Sequence, residues 1–142
     1  MYRHILLASD GSACAQKAAT AAATLAGKFD SQLTIINAFQ PIPTVGPYGE
    51  IINVGLENKY ITQMQEEAIG QAGRIVDGFN RPYTTRQEIG DPATEIVRVA
   101  EEEGCDLIVV GSRGQGAFQS FLLGSVSDHV VHHAHCPVLI IR

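Results

Sequence analysis

Short apolar segments alternate with helical patterns along the whole chain, and this alternation strongly restricts the possible fold. Strands are predicted at 5–8, 33–39, 83–89, 106–110 and 137–141. A helical pattern fills each gap between successive strands. Alternation of this kind predicts an α/β fold, in which helices cover both faces of a single doubly wound parallel sheet of five strands.

The predicted helices begin and end at residues that suit helix ends. Ser12 can cap the first helix, which is rich in alanine. Apolar residues at three- and four-residue steps over 61–79 predict the second helix. Asp91 is a good cap for the third helix, and Pro92 suits a first helical position. The fourth helix is predicted over about 125–135.

Composition and charge narrow the class of protein. A length of 142 residues fits one domain, taken as 1–142. The net charge is −5 and the basic residues are scattered, which argues against a nucleic-acid partner. No apolar run approaches the roughly 20 residues of a membrane span, and the N-terminus does not resemble a signal peptide. Three isolated cysteines suit a reducing compartment, so a cytoplasmic location is expected.

Two predicted strand ends carry residues that suit a ligand. The first strand is followed by the sequence SDGS at 9–12, and the fourth by GSRG at 111–114. In doubly wound sheets, ligands bind outside the carboxyl ends of the strands, where the strand order reverses. If the first and fourth strands are neighbours, both segments face one crevice and the strand order is 3-2-1-4-5.

Gly111 and Gly114 form one glycine corner, and Gly124 forms a second corner directly before the last helix. Glycine has no Cβ, so backbone N–H groups at such corners can approach an anion closely. A helix that opens at Ser125 adds unpaired N–H donors and the positive end of its dipole. The pattern predicts phosphate binding. The alternative is that these are ordinary glycines at the ends of secondary-structure elements.

With these motifs, the chain resembles the universal stress protein family in its nucleotide-binding branch. The family signature G-x-x-G, nine residues, then G-[S/T] matches from Gly111 to Ser125. Segment 5–12 is similar to the family's first strand with its acidic residue, and segment 124–142 to its last helix and strand. The resemblance implies the 3-2-1-4-5 sheet, a homodimer, and ATP or a related adenine nucleotide in the crevice, together with Mg²⁺.

The resemblance and the glycine corners give eleven candidate nucleotide-binding residues: Ser9, Asp10, Ala38, Val110, Gly111, Arg113, Gly114, Gly124, Ser125, Val126 and Ser127. Asp10 would accept hydrogen bonds from ribose hydroxyls or help to hold Mg²⁺ through water; alternatively, it caps the first helix. Ala38 would offer backbone groups to the adenine edge. Arg113 can pair with a terminal phosphate or be a solvated loop charge. Ser125 would donate to a phosphate, cap the last helix, or do both.

Histidines near the end of the last helix could suggest a metal site. His129, His132 and His133 share one helix face, and His135 and Cys136 follow. In the family that the chain resembles, however, the last helix often carries histidine near its C-terminal end. An imidazolium there suits the helix dipole. No metal site is therefore predicted.

Three functions remain open on the sequence alone. The first is an ATP-binding, stress-response regulatory protein whose interactions with an unknown protein partner depend on the nucleotide. The second is a slow ATPase or nucleotidyl-transfer enzyme that uses the same crevice. Near the phosphate loop only Asp10 and Arg113 suit catalysis, without a second acidic ligand, so no catalytic residue is assigned. The third is an interaction module with an empty crevice, against which the intact glycines argue.

Two further expectations concern the ends of strands. Segment 40–50 contains three prolines and two glycines, so it is predicted to be a mobile loop near the adenine end of the crevice. The last strand would be a sheet edge, and 138–141 is apolar on both faces. An apolar edge invites pairing with another chain. A homodimer through antiparallel pairing of two last strands is therefore expected.

Overall fold

The computed structural model describes residues 1–52, 59–114 and 123–142, in which a parallel sheet is covered by four helices. In chain order the elements are β1 (His4–Ala8), α1 (Ala13–Phe29), β2 (Gln32–Phe39), β3 (Thr44–Val45), β4 (Ile51–Ile52), α2 (Lys59–Asp77), β5 (Thr84–Ile89), α3 (Pro92–Glu102), β6 (Leu107–Gly111), α4 (Ser125–His133) and β7 (Val138–Ile141). The sheet order is β5-β2-β1-β6-β7, and every neighbouring pair is parallel. Counted over the five long strands, this is the order 3-2-1-4-5, so the predicted fold is confirmed.

Side chains of the central strands alternate between two separate cores. Ile5 and Leu7 of β1 pack with residues of α1 and α2, whereas Leu6 packs with residues of α3 and α4. Each of these three side chains is fully buried. A strand that is buried on both faces needs a continuous apolar run rather than an alternating one. Burial on both faces explains the continuous apolar run of β1. The pair α1 and α2 and the pair α3 and α4 therefore lie on opposite faces of the sheet.

Small side chains line the buried side of α1. Its buried residues are Ala15, Ala18, Ala19, Ala22, Ala23 and Ala26. Alanine has high helix propensity and leaves little bulk between helix and sheet. The Ser12 side chain accepts a hydrogen bond from the N–H of Ala15 at 3.2 Å, so the predicted cap of the first helix is confirmed.

The start of α3 is fixed by Asp91. Its carboxylate accepts hydrogen bonds from the backbone N–H of Thr94 at 3.0 Å and from the Thr94 hydroxyl at 2.7 Å. These bonds hold the pKa of Asp91 below its ordinary value, with the hydroxyl bond contributing most. Asp91 is the N-cap and Pro92 begins the helix, as the sequence predicts.

Segment 40–50 differs from its prediction. Thr44–Val45 pairs with Ile51–Ile52 in a short antiparallel hairpin, so the expectation of a loop without regular structure is wrong there. The turn is closed by Glu50, whose carbonyl accepts from the N–H of Gly46 at 2.8 Å and whose carboxylate accepts from the N–H of Tyr48 at 3.0 Å. The prediction of a loop was based on the prolines and glycines of this segment, which do not indicate the local hydrogen bonds made by Glu50.

Helix ends were predicted less well than helix existence. The second helix ends at Asp77, so Phe79 lies beyond it, and the last helix ends at His133 instead of near residue 135. In the described part of the chain, none of the helices combines the length and apolar character that crossing a bilayer requires.

Candidate functional site

A cavity of about 450 Å³ opens at the carboxyl ends of the strands, where the strand order reverses between β1 and β6. All eleven candidate residues from the sequence line it: Ser9, Asp10, Ala38, Val110, Gly111, Arg113, Gly114, Gly124, Ser125, Val126 and Ser127. The cavity falls within the volume range of typical small-molecule sites. The structure therefore brings the candidates together. Whether they bind a nucleotide stays a prediction.

Apolar side chains from β2 and α3 form part of the lining, and except for Ala38 the sequence did not single them out. Ile36 and Ala38 come from β2, and Pro92 and Ile96 from the first turns of α3. Ile96 also belongs to the core on the α3 and α4 face. From sequence, a residue on the apolar face of a helix looks like an ordinary core residue, so its second role at a cavity wall carries no separate signal.

At the end of β1, Ser9 and Asp10 differ in environment. Ser9 is buried, and its hydroxyl donates a hydrogen bond to the carbonyl of Ala68 in α2 at 3.2 Å. Asp10 is exposed, and its carboxylate accepts a hydrogen bond from the N–H of Ser12 at 2.9 Å. Because Ser12 is the N-cap of α1, the alternative role of Asp10 as that cap is wrong. Its carboxylate remains at the cavity wall.

The glycine corners have different reasons to be glycine. A Cβ at Gly111 would lie 2.8 Å from the Cβ of Cys14, and a Cβ at Gly124 would lie 3.1 Å from the carbonyl oxygen of Ser112. Both glycines are therefore needed for close packing within the protein, whatever the ligand. A Cβ at Gly114 would meet the Asp10 carboxylate, the far end of a flexible side chain, at 2.7 Å. Of the three glycines, Gly114 is therefore the least constrained by packing within the protein and the most available to a ligand.

The start of α4 offers backbone donors to the cavity. Gly124 is the N-cap and Ser125 the first helical residue, so the alternative that Ser125 caps the helix is wrong. The first intrahelical bond runs from the N–H of Asp128 to the carbonyl of Gly124 at 2.9 Å. The N–H groups of residues 125–127 precede that bond and so have no acceptor within the helix. Together with the helix dipole they form a site suited to an anion.

Arg113 lies in the loop after β6 and lines the cavity. Its side chain is half-buried, and its carbonyl is 3.5 Å from the hydroxyl of Ser12. Over 1–52, 59–114 and 123–142, its guanidinium forms no ion pair. Both alternatives from the sequence, a phosphate partner and a solvated loop charge, fit this position.

The histidines of α4 mostly interact with their own helix. Nδ1 of His132 lies 2.8 Å from the carbonyl oxygen of Asp128, and Nδ1 of His133 lies 2.9 Å from that of His129. The rings of His129 and His133 are 4.1 Å apart between centroids. One ring nitrogen of His132 and one of His133 therefore bond the backbone one turn earlier.

A second polar cluster, at the amino ends of the strands, also contains metal-ligand residue types. Donor atoms of His4, Glu103 and Cys105 lie within 4.8 Å of one another. Nε2 of His4 lies 2.9 Å from the Thr34 hydroxyl, and Glu103 accepts from that hydroxyl at 2.9 Å and from Arg86 at 2.8 Å. Burial raises the pKa of the Cys105 thiol to about 12. The polar side chains of this cluster already form hydrogen bonds with one another, and the Cys105 thiol stays protonated. We therefore interpret the cluster as structural rather than as a metal site.

Comparison with known proteins agrees with the fold and the glycine signature. The model of the universal stress protein family matches residues 1–142, and the chain belongs to this family of stress-response proteins. A universal stress protein of Thermus aquaticus is 36% identical over the full length of both chains. Its name describes a stress protein and states no reaction.

Two solved structures share the fold. The universal stress protein from Archaeoglobus fulgidus in complex with dAMP is 22% identical, with a TM-score of 0.75 over 99% of this chain and 98% of that one. A universal stress protein in complex with cAMP is also 22% identical, with a TM-score of 0.74 over 99% and 97% of the two chains. At this identity, the likeness shows that the architecture is shared.

Proposed function

We propose that the protein binds ATP with Mg²⁺ in the cavity at the β1 and β6 strand ends, and that the bound nucleotide changes its interaction with a protein partner. The observation that carries this proposal is the convergence of an exposed glycine corner, a helix start and an apolar wall on one cavity. A helix start suits phosphates, and an apolar wall suits a flat base. The structures with dAMP and cAMP support an adenine nucleotide, because both ligands share adenine, ribose-type sugar and phosphate with ATP.

In this proposal the phosphates lie between Gly114 and the first turn of α4. The N–H groups of 125–127 and the Ser125 hydroxyl would donate to phosphate oxygens, and Arg113 would pair with the terminal phosphate. The Mg²⁺ ion would be held by phosphate oxygens and by water, since Mg²⁺ prefers oxygen ligands and keeps several waters. The Asp10 carboxylate would accept hydrogen bonds from the ribose hydroxyls or help to hold the ion through water. When bound, the ion would neutralise phosphate charge that would otherwise repel Asp10.

Binding, rather than efficient turnover, is the proposed activity. Asp10 is the only carboxylate that lines the cavity in the described part of the chain, and no histidine of that part lines it. Rapid phosphoryl transfer needs a group that positions the attacking water in addition to metal ligands. Slow hydrolysis or nucleotidyl transfer in the same cavity remains the second candidate function, because Asp10 and Arg113 both lie at the cavity wall.

The proposal is tested by titrating the protein with ATP, adenosine and inorganic tripolyphosphate, each with Mg²⁺, in a calorimeter. We expect ATP to bind more tightly than either fragment and to raise Tm, because a ligand that binds only the folded state stabilises it. Turnover of ATP is followed in the same samples and should be slow compared with typical enzymes. Absence of ATP binding would show that the proposed function is wrong.

Replacing Asp10 with alanine distinguishes a sugar contact from a metal contact. If Asp10 accepts hydrogen bonds from the ribose, Asp10→Ala should weaken ATP and adenosine binding by about 1–3 kcal/mol, with little effect on tripolyphosphate. Asp77→Ala, which removes the same charge from an exposed position at the end of α2, is the matched control. Equal losses for ATP and tripolyphosphate would instead assign Asp10 to the metal.

A further inference from the structure

Ser127 is buried, although it lies beside the exposed start of α4. Its exposed fraction is 2%, and its hydroxyl lies 3.0 Å from the carbonyl oxygens of both Ser112 and Gly124. A hydroxyl has one hydrogen, so that hydrogen is shared between these two acceptors. Ser125, two residues earlier, is exposed. The two serines therefore differ in what their hydroxyls can reach.

The backbone of Ser112 connects three separate segments of the chain. Its carbonyl also accepts from the N–H of Gly124 at 2.7 Å, and its own N–H donates to the carbonyl of Ile141 at 2.7 Å. It is 4% exposed. The loop after β6, the start of α4 and the end of β7 are thus joined through the backbone N–H and carbonyl of Ser112. The Ser127 hydroxyl adds a side-chain hydrogen bond to the Ser112 carbonyl at this point.

We propose that the Ser127 hydroxyl is a positioning group that sets phosphate affinity through the Ser112 carbonyl, without itself contacting the ligand. Its hydroxyl holds that carbonyl, and with it the corner at Gly124, at a fixed distance from the loop at Arg113 and Gly114. This inference rests on the proposed function, because it concerns the same cavity. Donors that are held in place before binding lose less freedom when the ligand arrives, so they bind it more tightly.

The inference predicts a selective effect of Ser127→Ala. Loss of the hydroxyl leaves the buried Ser112 carbonyl with one hydrogen bond fewer, so we expect about a tenfold increase in Kd for ATP with Mg²⁺. The Kd for adenosine should stay within about twofold, because the apolar wall and Asp10 are unchanged. Relative to Ser127→Ala, Ser127→Thr should restore ATP affinity, since threonine keeps the hydroxyl that bonds the Ser112 carbonyl.

A measurement without ligand separates positioning from direct contact. In the nucleotide-free protein, hydrogen exchange at the Gly124 amide should rise about tenfold in Ser127→Ala, because its acceptor is less well held. Ser31→Ala is the matched control, since Ser31 is also buried and donates to the carbonyl of Tyr2, at the other end of the sheet. Ser31→Ala should change neither the Kd for ATP with Mg²⁺ nor the exchange rate of the Gly124 amide.

Each outcome decides for or against the inference. Weaker ATP binding together with faster Gly124 exchange in the free protein supports it. Weaker ATP binding with unchanged exchange shows that the Ser127 hydroxyl is a direct ligand, and equal losses for ATP and adenosine show a general structural effect; both overturn the inference. A wild-type protein that binds neither compound overturns the proposed function itself, and the inference with it.

Discussion

Replacing Gly114 with valine is expected to lower ATP affinity by at least about 100-fold, which corresponds to about 2.7 kcal/mol. Among the residues that the structure describes, a Cβ at this position meets only the Asp10 carboxylate, the end of a flexible side chain that can move. The fold should therefore tolerate the change. The added side chain would occupy the corner where phosphate oxygens are proposed to lie, so the loss should appear in binding and not in stability. Calorimetric titration and thermal unfolding measure the two effects separately.

Three other glycines serve as comparisons. A Cβ at Gly27 in α1 has nothing within 4 Å, so Gly27→Val should leave both ATP affinity and Tm nearly unchanged. Valine at Gly111 or Gly124 would contact backbone atoms or a Cβ of the protein at 2.8–3.1 Å, so both variants should lose stability. Unchanged ATP affinity in Gly114→Val would show that phosphates lie elsewhere.

The contrast among these glycines shows how far the sequence predicts the site. The signature correctly indicated that Gly111, Gly114 and Gly124 come together at one cavity. It attributed all three to phosphate, whereas Gly111 and Gly124 are also required by contacts with Cys14 and Ser112. Those contacts join residues about 100 and 12 positions apart in the chain, and no local pattern reports such packing.

The fold could be predicted more completely than the details of the site. Apolar runs such as 5–7 in β1 specify strands that are buried on both faces, and good capping residues such as Asp91 mark helix starts. The hairpin of β3 and β4 depends instead on bonds made by Glu50 across the turn. The sequence predicts the start of α4 at Ser125 correctly, but the burial of Ser127 depends on packing against the Ser112 carbonyl, 15 residues earlier in the chain.

A homodimer through β7 is the second proposal with a large expected effect. β7 lies at an edge of the sheet and pairs only with β6 in the described chain. The carbonyl of Pro137 accepts a hydrogen bond from Ile108 of β6 at 3.0 Å, and that of Ile141 accepts from Ser112, directly after β6, at 2.7 Å. Peptide groups alternate in direction along a parallel ladder, so those of Val138 and Ile140 point away from β6. They are free of the ladder and could pair with the same strand of a second copy about a two-fold axis.

Ile140→Pro is expected to convert a dimer into a monomer at micromolar concentration. Proline removes the outward N–H but leaves the bonds to β6, which residues on either side of Ile140 make. The Ile140 side chain packs against the core on the α3 and α4 face, so Ile140→Ala is the matched control that loses packing and keeps the N–H. Leu139→Lys is less informative, because Leu139 packs against the opposite core and a lysine there would also destabilise the monomer.

Light scattering coupled to size-exclusion chromatography measures the mass of each variant, and circular dichroism confirms that each is folded. We expect dimers for the wild type and Ile140→Ala, and a folded monomer for Ile140→Pro. Pairing of two edge strands would use the outward N–H of Ile140 twice, once in each copy, because the interface is symmetric. One substitution therefore removes two hydrogen bonds at the centre of a short strand. A wild-type monomer, or a dimer that persists in Ile140→Pro, would show that the free edge of β7 is not the interface.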